Sequence, residues 1–149
     1  MDADLEYSPA DIRARALNLL ARREHSRLEL ARKLRQRGMA GADLEQVLDE
    51  LAAARLLSDT RFAEEYARSR AGRGYGPVRI RAELRERGID DAGIQTALGE
   101  LDEDWCQQAR AARQRRFGAE PPADLKERAR QSRFLQQRGF SPEQIRQAL

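Results

Sequence analysis

Apolar residues recur along this chain in short stripes at helical spacing. Ile12, Ala16, Leu19 and Leu20 stand at i, i+4, i+7 and i+8, and Leu44, Val47, Leu48 and Leu51 form a second stripe. Such stripes mark amphipathic helices that bury one face. Phe62 and Tyr66 lie one turn apart, and Ile94, Ala97, Leu98 and Leu101 copy the Leu44 stripe. Start signals precede the stripes. Ser8 stands before Pro9, Ser26 before Glu29 by three residues, Asp124 before Glu127, and Ser141 before Pro142 and Gln144, all capping arrangements. Ser58 caps in the same way, and Tyr7 with Ile12 and Leu57 with Phe62 stand where hydrophobic staples form. The pattern predicts an all-α chain with helices near 8–23, 27–37, 42–56, 59–71, 77–87, 91–100, 103–117, 124–138 and 142–149, and no sheet.

The stripes repeat. Residues 31–51, ARKLRQRGMAGADLEQVLDEL, match residues 81–101, RAELRERGIDDAGIQTALGEL, at an offset of fifty without a gap, and SRFLQQRGFSPEQIRQAL at 132–149 is a third copy. Leu34, Leu84 and Leu135 anchor the register, followed by Arg37, Arg87 and Arg138 and then by Gly38, Gly88 and Gly139. Glycine at this point ends a helix in the left-handed conformation. The reading is three tandem three-helix repeats at 8–57, 58–101 and 102–149, forming an elongated, curved array.

This register interprets GRGYGP at 72–77. Ser26 aligns with Gly76 and Arg27 with Pro77, so the pair sets a helix start. The first repeat makes the same connection with RREHS, which suggests that the fold does not need the glycines. A phosphate-cradling loop is disfavoured, because the spacing departs from G-x-G-x-x-G, no Lys-Ser/Thr follows and no strand precedes. Gly72 and Gly74 are expected to leave a bare, mobile loop from which Arg73 and Tyr75 reach an anionic partner. The opposing expectation is that Tyr75 folds back as a plug over Tyr66 or Ile80.

Composition narrows the chemistry. Charged residues make up 36% and aromatics 5% of the 149 residues, which favours charge-rich helices over a large mixed core. Of 28 basic residues 26 are Arg, whose planar fork suits phosphate and carboxylate. Cys106 is the only cysteine and His25 the only histidine, so one chain holds neither a disulfide framework nor a Cys/His metal site. Glu24-His25-Ser26 is read as a loop beside a helix cap rather than as a triad, and no catalytic site is expected. The start carries no apolar leader and no run is long enough to span a membrane, so a cytoplasmic location is expected.

Seven arginines fall between 68 and 87, against Glu83 and Glu86, and Arg110, Arg113, Arg115 and Arg116 follow. Clustered Arg with an aromatic suits phosphate contact and base stacking, and equally describes a solvated helical face. The third helices are acidic at Asp43, Glu45, Asp49 and Glu50 and at Asp90, Asp91 and Glu100, which argues against insertion of a recognition helix into a DNA groove.

The stretches ALNLLARREHSRLELARKLRQRG, LLSDTRFAEEYARSRAGRGYGPVRIRAELRERGI and SRFLQQRGFSPEQIRQAL resemble the RecX regulatory proteins of bacteria over nearly the whole chain from about Ser8. The specific motifs are Arg22-Arg23-Glu24-His25-Ser26, Arg61-Phe62-Ala63 with Tyr66, Gly74-Tyr75-Gly76-Pro77 with Ile80, and Phe134 with Arg138-Gly139-Phe140. Ala40 departs from the pattern, which usually offers an Asp cap there. The resemblance implies a non-enzymatic modulator of the RecA recombinase. Such a protein lies in the groove of the RecA filament on single-stranded DNA, blocks its extension and reduces ATP hydrolysis, strand exchange and cleavage of SOS repressors. A monomer without cofactor or metal is expected, meeting single-stranded DNA through the filament and no membrane. A stand-alone single-stranded nucleic-acid binder stays open as the alternative. The candidate contact residues are Arg22, Arg23, Arg61, Arg68, Arg70, Arg73, Tyr75, Arg79, Arg113, Arg115 and Arg116.

Overall fold

The computed structural model of the protein describes residues 6–149; the acidic start at residues 1–5 lies outside them. Among the described residues the chain forms nine α-helices and no strand. They are α1 (Pro9–Arg22), α2 (Arg27–Gln36), α3 (Gly41–Ala53), α4 (Asp59–Gly72), α5 (Pro77–Glu86), α6 (Asp91–Leu101), α7 (Trp105–Phe117), α8 (Leu125–Arg138) and α9 (Pro142–Ala148). Ser8, Ser26 and Ser141 each close a reciprocal capping box, whereas Ala40 offers no side-chain cap to α3. Gly38, Gly88 and Gly139 take φ of 87°, 85° and 98°, the left-handed region that glycine enters without strain.

Helix α3 stops three residues before the predicted end. Arg55 turns left-handed at φ 62°, and the N–H groups of Leu56 and Leu57 both donate to the Leu51 carbonyl, at 2.9 and 3.2 Å. Continued as helix, Leu57 would lie about a third of a turn away from the Leu51 face. The turn instead buries Leu57 in the first core and leaves Leu56 exposed. Burial of such a side chain stabilises the fold by about 1.5–3 kcal/mol, enough to offset a left-handed arginine.

Each consecutive triplet of helices encloses its own core. Ile12, Leu30, Leu34, Leu44, Leu48 and Leu51 form the first, Phe62, Ile80, Leu84 and Ile94 the second, and Ala109, Leu135, Phe140 and Ile145 the third. Trp105 packs against both the second and the third. Among the described residues no hydrogen bond joins the first triplet to the third, as a tandem array requires.

Both joints use one device: the turn after a triplet's second helix docks on the start of the preceding triplet's second helix. Gly88 lies over Leu28, where an added Cβ would stand 2.9 Å from the Leu28 Cβ. Gly139 lies over Arg79, where it would stand 2.2 Å from the Arg79 Cβ. At the second joint the Gly76 N–H donates to the Arg138 carbonyl at 2.7 Å and the Val78 N–H to the Gly139 carbonyl at 2.9 Å. A Cβ on Gly76 would meet the Gly139 oxygen at 2.5 Å, so here the fold does require glycine, contrary to the inference from RREHS. The expectation of a bare loop also fails. Gly74 and Gly76 are buried, and only Gly72 and Arg73 face solvent fully.

Candidate partner interface

Three of the candidate residues are building material for the second triplet. The Glu83 carboxylate accepts hydrogen bonds from the Tyr66 hydroxyl at 2.9 Å, from Arg70 Nε and Nη2 at 2.9 and 3.0 Å, and from Arg79 Nε at 3.0 Å. Burial alone would raise this carboxyl; the bonds from Arg70, Arg79 and Tyr66 outweigh burial and hold it below the ordinary 4.5. The Tyr66 hydroxyl is pushed above 10.0 by burial and by the same carboxylate. Tyr75 packs against this core with the guanidinium carbons of Arg70, Arg79 and Arg138 lying 3.9, 4.5 and 4.9 Å from its ring centre. Its faces are occupied by cations, so it acts as the plug and not as a stacking platform. Arg79, offered as a contact residue, is further tied to the Gln137 carbonyl at 3.1 Å.

His25 holds the equivalent position in the first triplet and is 1% exposed. Its Nδ1 lies 3.0 Å from the Arg23 carbonyl and its Nε2 2.9 Å from Lys33 Nζ. A neutral ring satisfies both, with Nδ1–H donating and Nε2 accepting. Burial, with Arg23 and Lys33 adding to it, lowers the ring below its ordinary 6.5, against the opposing backbone bond and Glu29. Ser26 is spent on capping α2, so the Glu-His-Ser string assembles no triad.

Arg22, Arg23 and Arg61 come together at an open groove of about 740 Å³ between α1 and α4, floored by Leu17, Leu20, Phe62 and Tyr66 and edged by Arg55 and Leu56. Leu17 is 38% and Leu56 49% exposed, an unusual outlay for such large apolar side chains side by side. Glu24 on the rim holds Arg61 at 2.6 Å, and this hydrogen bond raises the guanidinium above its ordinary value. Arg23 pairs with Glu29 at 3.1 Å. Arg22 and Arg55 stand within salt-bridge distance of no carboxylate among the described residues.

Arg73, Arg115 and Arg116 meet elsewhere, at a cleft of about 180 Å³ where the α4–α5 loop faces α7 and α8. Gly74, Ala112, Phe134 and Arg138 complete the lining. Gly74 stands at φ 90°, and a Cβ on it would lie 3.1 Å from Arg115 Nη2. Arg113, counted with these arginines in the sequence, is 4% exposed and turns inward. Its Nη1 donates to the Glu120 carbonyl at 3.1 Å and to Gln131 Oε1 at 3.2 Å, and its Nη2 to the Ala119 carbonyl at 3.5 Å. It staples the break before α8. Arg68 is exposed and lines neither place.

Sequence reasoning missed Leu17, Leu56, Phe134 and Arg138 as site residues. Leu17 lies off the Ile12 stripe, an apolar residue on a polar face, and that was a signal. Arg138 read as a helix-end repeat anchor and as part of a family motif, not as a contact residue, and its place in the repeat is the same as that of Arg37 and Arg87.

Models of the three RecX three-helix domains match this chain in order, the first over residues 13–51, the second over 58–98 and the third over 102–149. A protein named regulatory protein RecX from Halorhodospira halophila is 53% identical over 137 residues, covering 92% of this chain and 85% of its own. Another of that name from Pseudomonas entomophila is 48% identical over 138 residues, covering 93% and 89%. The crystal structure of RecX from Lactobacillus salivarius superimposes with a TM-score of 0.79 at 23% identity, covering 94% of this chain and 93% of the other. A second solved regulatory protein RecX gives 0.76 at 23%, covering 94% and 72%. At that identity the two structures speak for the fold alone. The domain models that tile the chain, and relatives half identical across nine-tenths of it, establish that this chain belongs to the RecX family.

Proposed function

We propose that this chain regulates the RecA recombinase. It lies on the RecA filament on single-stranded DNA and reduces filament extension, ATP hydrolysis, strand exchange and the cleavage of SOS repressors, with no catalysis of its own. The observation that carries the reading is the match of all three three-helix domain models of a regulatory family. The groove between α1 and α4 is the face that suits a protein partner. It joins exposed Leu17 and Leu56 and the aromatic edges of Phe62 and Tyr66 to an arginine rim, the make-up of interfaces whose few apolar anchors carry most of the affinity.

RecA ATPase on single-stranded DNA, measured with substoichiometric protein, is expected to fall. Leu17→Glu with Leu56→Glu should restore most of the ATPase while leaving the circular dichroism spectrum intact, because both residues are partly exposed and belong to none of the three cores. Undiminished inhibition by the folded double variant would remove this groove from the reading, and no inhibition by the unaltered protein would remove the reading itself. The carboxylate-poor arginine cleft favours a second reading, a stand-alone binder of single-stranded nucleic acid. Such a protein would bind DNA tightly and with steep salt dependence, yet leave the ATPase unchanged at substoichiometric amounts.

A further inference from the structure

We propose that the cleft lined by Arg73, Arg115, Arg116 and Arg138 is a phosphate-binding site. The four side chains come from the α4–α5 loop, α7 and α8, so the site exists only where the second and third triplets meet. Among the described residues none of the four stands within salt-bridge distance of a carboxylate. The other arginine-lined groove, between α1 and α4, differs in this, because two of its four arginines, Arg23 and Arg61, are held by Glu29 and Glu24. Glu83 holds Arg70 and Arg79, Glu29 holds Arg23 and Arg87, Glu45 holds Arg27 and Arg35, and Glu24 holds Arg61. Gathering like charges without a counter-charge opposes folding, and a bound anion removes that opposition.

The size and the walls of the cleft select the ligand. At about 180 Å³ it is smaller than the roughly 300–1,000 Å³ of sites that enclose a whole small molecule, and it accommodates a phosphate group or two without their nucleoside. Phe134 at its floor offers no stacking surface. Arg138 and Arg116 lie 5.1 and 5.8 Å from its ring centre, and Phe117 meets it edge-on at 5.3 Å. A base therefore has nowhere to stack, and recognition stays with the phosphate oxygens. Guanidinium forks fit carboxylates as well as phosphates, but one carboxylate neutralises a single charge, whereas linked phosphates match several arginines in a small volume. Gly74 belongs to this design. Its bare, buried backbone gives the Arg115 guanidinium room at the wall, where an added Cβ would press on it at 3.1 Å. The phosphates come either from a nucleic-acid backbone or from a free polyphosphate.

The test uses the full chain without any recombinase, so its outcome is separate from the filament reading. Binding of a fluorescein-labelled 20-nucleotide oligo(dT) is followed by anisotropy over a range of salt, with pyrophosphate and a decaglutamate peptide as competitors. Arg115→Ala with Arg116→Ala, both exposed, is expected to weaken oligo(dT) binding at least tenfold and to lower the salt slope by roughly 0.7 per lost phosphate contact. Arg37→Ala with Arg128→Ala removes the same charge from exposed positions outside the cleft and should change affinity by less than about threefold. Pyrophosphate competing at micromolar concentration assigns the site to a free polyphosphate, and oligo(dT) resisting millimolar pyrophosphate assigns it to a strand; either supports the site. Equal loss in the two double variants, no loss in either, or displacement by decaglutamate ahead of pyrophosphate overturns it. Circular dichroism confirms that each variant is folded.

Discussion

Replacing Gly76 by Ala tests the joint between the second and third triplets. The backbone there, at φ −92° and ψ 172°, is one that alanine adopts freely, so local strain contributes nothing. Only the neighbouring chain objects. The new Cβ would stand 2.5 Å from the Gly139 oxygen, 2.6 Å from its carbonyl carbon and 2.8 Å from Phe140 Cδ1, and the two closest are backbone atoms with no rotamer to change. Relief requires the two segments to part by more than half an ångström, which stretches the bonds from the Gly76 N–H to Arg138 and from the Val78 N–H to Gly139. Overpacking of this kind costs about 1–3 kcal/mol, and each weakened buried hydrogen bond up to about 1 kcal/mol more. The expected loss is about 2–4 kcal/mol, or a fall in melting temperature on the order of 10 °C for a chain of this length. Trp105 is the single tryptophan and packs against both affected cores, so its fluorescence in a urea titration reports the joint directly, with circular dichroism reporting the helices. Gly72→Ala is the matched control. No atom lies within 4 Å of its added Cβ, and it should be neutral or stabilise by up to about 1 kcal/mol. A Gly76→Ala midpoint indistinguishable from that of the unaltered protein would refute the steric argument.

Tyr75→Ala should lower stability by about 2 kcal/mol through lost ring burial and three lost guanidinium contacts, while inhibition of the recombinase is retained; unchanged melting with lost inhibition would return Tyr75 to the surface. Gly88→Val should destabilise by more than about 1 kcal/mol, since φ is 85° and Leu28 leaves no room, and a melting midpoint equal to wild type counts against it. For His25 the folded value lies below 6.5, so as pH falls past about 6.5 the unfolded chain takes a proton that the native one refuses. Stability should therefore decline below pH 6.5, and His25→Gln should flatten that part of the profile. NMR titration of the single imidazole gives a direct check, and a midpoint at or above 6.5 would contradict it.

Sequence by itself determined the helices and most of their ends, the early stop of α3 at Ala53 excepted. Among the described residues nine helices stand where stripes and caps place them, because capping, helical periodicity and the left-handed freedom of Gly38, Gly88 and Gly139 act within a few residues and show in a local stretch. The uncapped start of α3 at Ala40 was visible in the same way. The family resemblance was legible for a related reason, since its motifs are the helix starts and turns themselves. Tertiary structure alone decided which charges are free. Seven arginines in a row of twenty residues look alike, yet Glu83 draws Arg70 and Arg79 inward, Glu29 of the preceding triplet takes Arg87, and Arg73 is left to solvent. Arg113 is lost to the surface because the Ala119 and Glu120 carbonyls and Gln131 surround it. The need for Gly76 rests on a carbonyl sixty-three positions away, at Gly139. Long-range packing brings such groups within a few ångströms of each other, and pairing, desolvation and steric exclusion act only over those distances, so neither the joint nor the arginine cleft has a signature in any one stretch of chain.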